Sequence, residues 1–124
     1  MYESLDVLRT SAALARHAGQ RQALAALDVA NADTPGFRAR RLPDFAEAMG
    51  GAAPMRRTRP GHLGGAEDAE ARAVDAGGEA SPDGNTVSIE AEMFASAEAS
   101  REQGQALAVW RHATTVLRAA LGGR

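Results

Sequence analysis

The chain has 124 residues, a formal net charge of −2 and no cysteine. A charge so nearly balanced gives no field for nucleic acid or an anionic membrane surface. Without cysteine there is no disulfide framework, thiolate nucleophile or Cys-based metal site.

Hydrophobic residues make up 44% of the chain and aromatic residues 4%. Ala supplies most of the first figure and buries little area per contact, so partners are expected to complete the burial. All 14 basic residues are Arg. No apolar run approaches the roughly 20 residues of a membrane span. The opening Met1-Tyr2-Glu3-Ser4-Leu5-Asp6 is acidic where a signal peptide is basic. The expectation is one structural unit that does not span a membrane and is not exported through a cleaved signal.

The first element is predicted over residues 1–33. Leu5, Leu8, Ala12, Ala15, Gly19, Gln22, Ala26 and Val29 follow alternating three- and four-residue steps, a heptad seam kept over more than three repeats. Leu14, Leu24 and Leu27 widen the apolar face, and Ser4 is the predicted N-cap. Pro35 biases Thr34 away from helical geometry, so the helix should stop near Asn31 or Asp33. In Thr34-Pro35-Gly36-Phe37, Pro35 suits the second position of a type II turn and Gly36 the positive φ of the third.

Residues 34–83 are predicted as that turn and an irregular, partly disordered Pro/Gly-rich middle. Gly50-Gly51, Pro54, Pro60-Gly61, Gly64-Gly65, Gly77-Gly78 and Pro82 interrupt any period, and only Glu67-Asp68-Ala69-Glu70-Ala71-Arg72 suits a turn or two of helix. Arg38, Arg40 and Arg41, with Arg56, Arg57 and Arg59, form two basic clusters. Phe37 and Phe45 are the only stacking platforms nearby, and Asp44, Glu47, Glu67, Asp68 and Glu70 dilute the field. Ion pairing within the chain or to a neighbour is expected, and no nucleic acid.

Residues 84–124 form the last element. Asp83-Gly84-Asn85-Thr86 reads as a turn followed by a cap, with Asn85 or Thr86 accepting from the first free amides and Glu90 and Glu92 suited to the positive end of the dipole. Ile89, Met93, Ala97, Ser100, Gly104, Leu107, Trp110, Thr114, Leu117 and Leu121 mark a second seam, and Gly122-Gly123 stops it.

The fold class this predicts is all-α: two long terminal amphipathic helices forming a coiled-coil-like pair, joined by the irregular middle. With the helices antiparallel and their outer ends level, Leu5 faces Leu121, Leu8 faces Leu117, Ala15 faces Trp110 and Gly19 faces Leu107. Large residues then meet small ones in the middle of the pair. Trp110, Phe94, Leu14 and Leu24 do not all fit one seam, so self-association or partner helices are expected to cover the remainder.

Reactive constellations are lacking. His17, His62 and His112 share no metal-ligand spacing, and His17 and His112 are expected on partly solvated helix faces. No Gly-x-Ser-x-Gly elbow arranges a nucleophile, and the Gly pairs lack the strand–Gly-x-Gly–helix context of a phosphate loop. Neither catalysis nor a cofactor nor a metal is expected.

Three stretches together carry a family likeness. Val29-Ala30-Asn31-Ala32-Asp33-Thr34-Pro35-Gly36-Phe37 resembles the Asn-Ala-Asn/Asp-Thr-Pro-Gly-aromatic signature of the bacterial flagellar rod and hook axial proteins. Arg38-Ala39-Arg40 with Leu42-Pro43-Asp44-Phe45 is similar to its continuation in the proximal rod members. Asp83-Gly84-Asn85-Thr86-Val87-Ser88-Ile89-Glu90-Ala91-Glu92-Met93 is similar to the block that opens their C-terminal helix. Thr58-Arg59-Pro60-Gly61-His62-Leu63 is similar to a weaker middle element, and the short length suits the proximal members. One departure is Asp28, where the family commonly has Asn; Asp accepts the same backbone bonds but has no amide proton to donate.

The resemblance makes Asn31, Asp33, Thr34, Pro35, Gly36 and Phe37 an assembly motif and Asp83, Gly84, Asn85 and Thr86 a helix-start motif. With the seam positions Leu5, Leu8, Ala15, Leu107, Trp110, Leu117 and Leu121, it implies a structural subunit of the bacterial flagellum basal body. Such a subunit transmits torque for motility through helices bundled with those of its neighbours. The implied partners are other rod subunits, a basal-body membrane-ring protein, a rod adaptor protein and the flagellar type III export apparatus. The alternative is a coiled-coil adaptor or regulator of flagellar export.

Overall fold

The computed structural model describes residues 2–50 and 71–122. The elements run α1 (Tyr2–Ala30), β1 (Arg40–Arg41), α2 (Phe45–Gly50), β2 (Val74–Asp75) and α3 (Ile89–Ala120). The readings placed on Gly51, Pro54, Arg56, Arg57, Thr58–Leu63, Gly64-Gly65, Glu67–Glu70 and Gly123 lie outside the described residues.

Two long helices dominate. At about 1.5 Å per residue, the 29 residues of α1 and the 32 of α3 span roughly 44 and 48 Å. They lie side by side and antiparallel. Arg21 donates to Glu102 at 2.8 Å and Glu98 at 3.4 Å, while Asn31, just past the end of α1, meets Asn85, before the start of α3. α1 begins at Tyr2, ahead of the expected cap at Ser4, and ends at Ala30. The stop beyond α3 is Gly122, at φ 70°, whose N–H donates to the Ala119 carbonyl.

The described parts of the middle carry regular structure. β1 and β2 pair antiparallel, Arg40 opposite Asp75 and Arg41 opposite Val74, and Ala76 N–H donates to the Ala39 carbonyl. With strands of only two residues each, the described residues remain mostly helical, consistent with the all-α expectation. Arg38 reaches Asp75 at 3.6 Å, an ion pair within the chain.

The buried faces of the helices differ from the predicted seams. On α1 the inward line is Ser11, Leu14, Ala18, Arg21, Ala25 and Asp28; on α3 it is Glu92, Ser96, Ala99, Gln103 and Ala106. Each line is the predicted seam moved one residue toward the N-terminus, a rotation of about 100°. Ala18 and Ala99 are 0% exposed, whereas Met93 is 65%, Trp110 42% and Leu121 77% exposed.

The pairing is also displaced lengthwise. A Cβ built on Gly19 would lie 3.3 Å from the Gln103 side chain, about one turn from the expected partner Leu107. The polar residues of the inward face explain the rotation. Arg21 finds Glu102 on α3, while His17 and Asp28 find Pro43 O and Arg40 N–H on the segment that follows α1, and a buried polar group left unpaired costs more than an exposed apolar one. Small Ala side chains then let the two backbones approach.

Candidate assembly site: a hydrogen-bonded knot and an outward stripe

The two sequence motifs, far apart in the chain, form one structure. After α1 the chain turns through Thr34 N–H to Asn31 O (3.0 Å) and Phe37 N–H to Thr34 O (3.2 Å), with Gly36 at φ 70°. Asn31 shapes the turn, its Nδ2 donating to Leu27 O and its Oδ1 accepting from Thr34 Oγ1. The second motif turns at Gly84, φ 84°, whose N–H donates to Ser81 O.

The two turns are then bound together. Gly36 N–H donates to Asp83 O at 2.9 Å and Thr86 N–H to Phe37 O at 3.0 Å. Ala39 N–H donates to Thr86 Oγ1 at 2.9 Å. Asp33 and Pro35 remain exposed on the rim.

Asn85 is the centre of this knot. Its buried Nδ2 lies 2.9, 2.9 and 2.8 Å from the carbonyl oxygens of Asn31, Ala32 and Thr34. Its Oδ1 accepts from Val87 N–H at 2.7 Å. A helix C-terminus leaves its last carbonyls without intrahelical donors and carries partial negative charge. The three carbonyls lie in the turn that continues that end, and Asn85 caps it from a distant loop. It is therefore not the N-cap of α3; Ser88 is, its Oγ accepting from Ala91 N–H at 3.4 Å.

Gly36 is required for its conformation rather than for space. A Cβ there would meet nothing within 4 Å, but φ is +70°. Gly36→Val is expected to lose about 1–2 kcal/mol as backbone strain, read from urea unfolding, with the helix content of the folded chain unchanged.

Below the knot, Asp28 is fully buried. Its Oδ2 accepts from Arg40 N–H at 2.8 Å, and its Oδ1 finds no hydrogen-bond partner among the described residues. Burial, and then the charge of Asp28, raise the Glu92 carboxyl above its ordinary range.

His17, expected on a partly solvated face, is buried instead. Its Nε2 lies 2.9 Å from Pro43 O, which makes that nitrogen the donor, and its ring meets Phe45 edge-on at 5.6 Å. No sequence signal marked this contact, because a lone His has no periodic partner. His112 is exposed.

The predicted seam of α3 faces outward along most of its length. Ile89, Met93, Ala97, Ser100, Gly104, Leu107, Trp110 and Leu121 are exposed, while Thr114 and Leu117 are half-buried. On α1, Leu5 and Val29 are exposed and Leu8, Ala15 and Gly19 half-buried. Phe94 and Leu27 add further exposed apolar surface.

Among the described residues no group of three potential ligands is placed to hold a metal ion, and no helix is long and apolar enough to cross a membrane. No protein-family model and no curated protein matches this chain.

Proposed function

We propose that the chain is a structural subunit of the proximal rod of the bacterial flagellar basal body, of the FlgB type. In this reading α1 and α3 form a coiled-coil-like pair that packs lengthwise against the helices of neighbouring rod subunits, and torque passes through that bundle. The observation that carries the reading is the outward α3 stripe. A heptad-spaced apolar line left exposed on one helix has the form of a docking face for another helix. The sequence likeness at both motifs supports the flagellar assignment.

The proposed partners follow from it: other rod subunits, the basal-body membrane-ring protein, the rod adaptor protein, and the type III apparatus that would deliver the chain to the periplasmic rod. No catalytic role is proposed.

Gly104 tests the docking face directly. A Cβ there would meet nothing in the free chain. Gly104→Ala is therefore expected to stabilise the isolated chain by about 0.5–1 kcal/mol, measured by thermal unfolding. In the same variant, self-association measured by sedimentation should weaken, because a methyl group intrudes where a neighbour's backbone approaches.

Deleting the gene tests the functional reading. Loss of rod and hook with the export machinery intact is the expected result. Mistimed or excess export with rods still built would instead identify an export regulator.

A further inference from the structure

Asp28 is a fully buried carboxylate with one oxygen, Oδ1, that meets no hydrogen-bond donor among the described residues. Such an oxygen in a low-dielectric site is costly, and an added donor would be stabilising. The helix register shows where a donor would come from. Arg21 sits between Glu98 and Glu102, and Gly19 faces Gln103. Two turns further along α1, Asp28 therefore lies level with the first turns of α3, where the half-buried residue on the inward line is Glu92.

We propose that Glu92 and Asp28 form a proton-bound carboxyl–carboxylate pair, in which protonated Glu92 donates its hydrogen to Asp28 Oδ1 and tightens the base of the helix pair as pH falls.

No described cation competes for the position. From the ribbon, Arg40 gives its main-chain N–H to Oδ2 while its side chain is exposed, and Arg38 is engaged by Asp75. On α1 the next cation is Arg21, held by Glu98 and Glu102. On the loop before α3, the Asp83 carboxylate accepts from Asn85 N–H.

The direction of the pH effect follows from Glu92. Its carboxyl is raised by burial first and by the Asp28 charge second. A group whose folded-state affinity for the proton exceeds its unfolded-state affinity adds stability as pH falls through the raised value. That gain is complete once pH is below the ordinary carboxylate range. Deprotonation as pH rises through the raised value leaves two carboxylates facing each other and loosens the joint. This inference concerns the fold of the chain and does not depend on the flagellar assignment.

The test is a carbon-13 carboxyl NMR titration of the full chain, beside amide exchange at Arg40. Glu92 should titrate above the ordinary glutamate range, and Arg40 N–H exchange should slow as Glu92 protonates, after correction for the intrinsic pH dependence. In Asp28→Asn the Glu92 midpoint should fall, and in Glu92→Gln the pH dependence of Arg40 exchange should vanish.

A Glu92 midpoint in the ordinary range, or one unmoved by Asp28→Asn, would overturn the pair. So would a shift of the Glu92 resonance by calcium at neutral pH, which would identify a bound cation instead of a proton. Asp28→Asn and Glu92→Gln keep the size of the side chain, and their amide spectra report that the fold is retained.

Discussion

Asn85→Asp is expected to destabilise the chain by about 3–5 kcal/mol, the range for a buried charge left without compensation. The substitution keeps the shape of the side chain and exchanges its only donor for an acceptor. Three carbonyl oxygens within 2.9 Å of Nδ2 then face a carboxylate oxygen. They already carry the partial negative charge of the end of α1, so the loss exceeds that of a single neutral hydrogen bond, which is about 1 kcal/mol.

A small domain is stable by about 5–15 kcal/mol in total, so the variant removes a large share. Urea unfolding at neutral pH measures the loss. Acidification should restore part of it, because a protonated carboxyl regains one donor for three acceptors. Equal stability of Asn85→Asp and the natural chain at neutral pH would mean that Asn85 does not cap α1.

The second large effect lies on the inward line. Ala99 is completely buried, and Ala99→Leu is expected to cost about 1–3 kcal/mol by overpacking. Met93→Ser, six residues away on the outward stripe, should change the stability of the free chain by less than about 0.5 kcal/mol. Its effect should appear in self-association, measured by sedimentation, where an apolar anchor has been removed. The two variants thus separate the face that holds the chain together from the face offered to neighbours. If the sequence-predicted seam were the inner one, the roles would exchange: Met93→Ser would destabilise the free chain and Ala99→Leu would be tolerated there.

Much of the architecture could be read from spacing and turn chemistry. The end of α1 near Asn31, the positive φ of Gly36 and the stop at Gly122 follow from local rules about Pro and Gly. What spacing missed is the rotation of the helices. The seams were drawn through the largest apolar residues, Leu107, Trp110 and Leu121 among them, whereas the packed lines run through Ala18, Ala25, Ala99 and Ala106.

Ala occurs on every face of these helices, so its periodicity carries little weight beside a Leu or a Trp. The polar tethers of α1, Arg21 to Glu102 on α3 and His17 to Pro43 O on the following segment, are long-range pairings with no local pattern. The knot was legible as two motifs and not as one. Asn85 and Thr86 suit an N-cap by residue type, and only the folded chain brings them to the carbonyls of the turn after α1 and the amide of Ala39. Asp28 stood out in sequence for lacking a donor; in the structure its use is as an acceptor, with one oxygen left over.

The central claim is that α1 and α3 pair through their Ala lines and leave the α3 apolar stripe for a neighbour. The chain has no cysteine, so single thiols report without background. The decisive measurement is the labelling rate of Ala99→Cys and Gly104→Cys, each in the dilute chain and again after self-association. Position 99 should be protected in both states, and position 104 reactive when dilute and protected once assembled. A dilute chain with 104 protected and 99 reactive would contradict the pairing, and a position 104 that stays reactive after assembly would contradict the docking face.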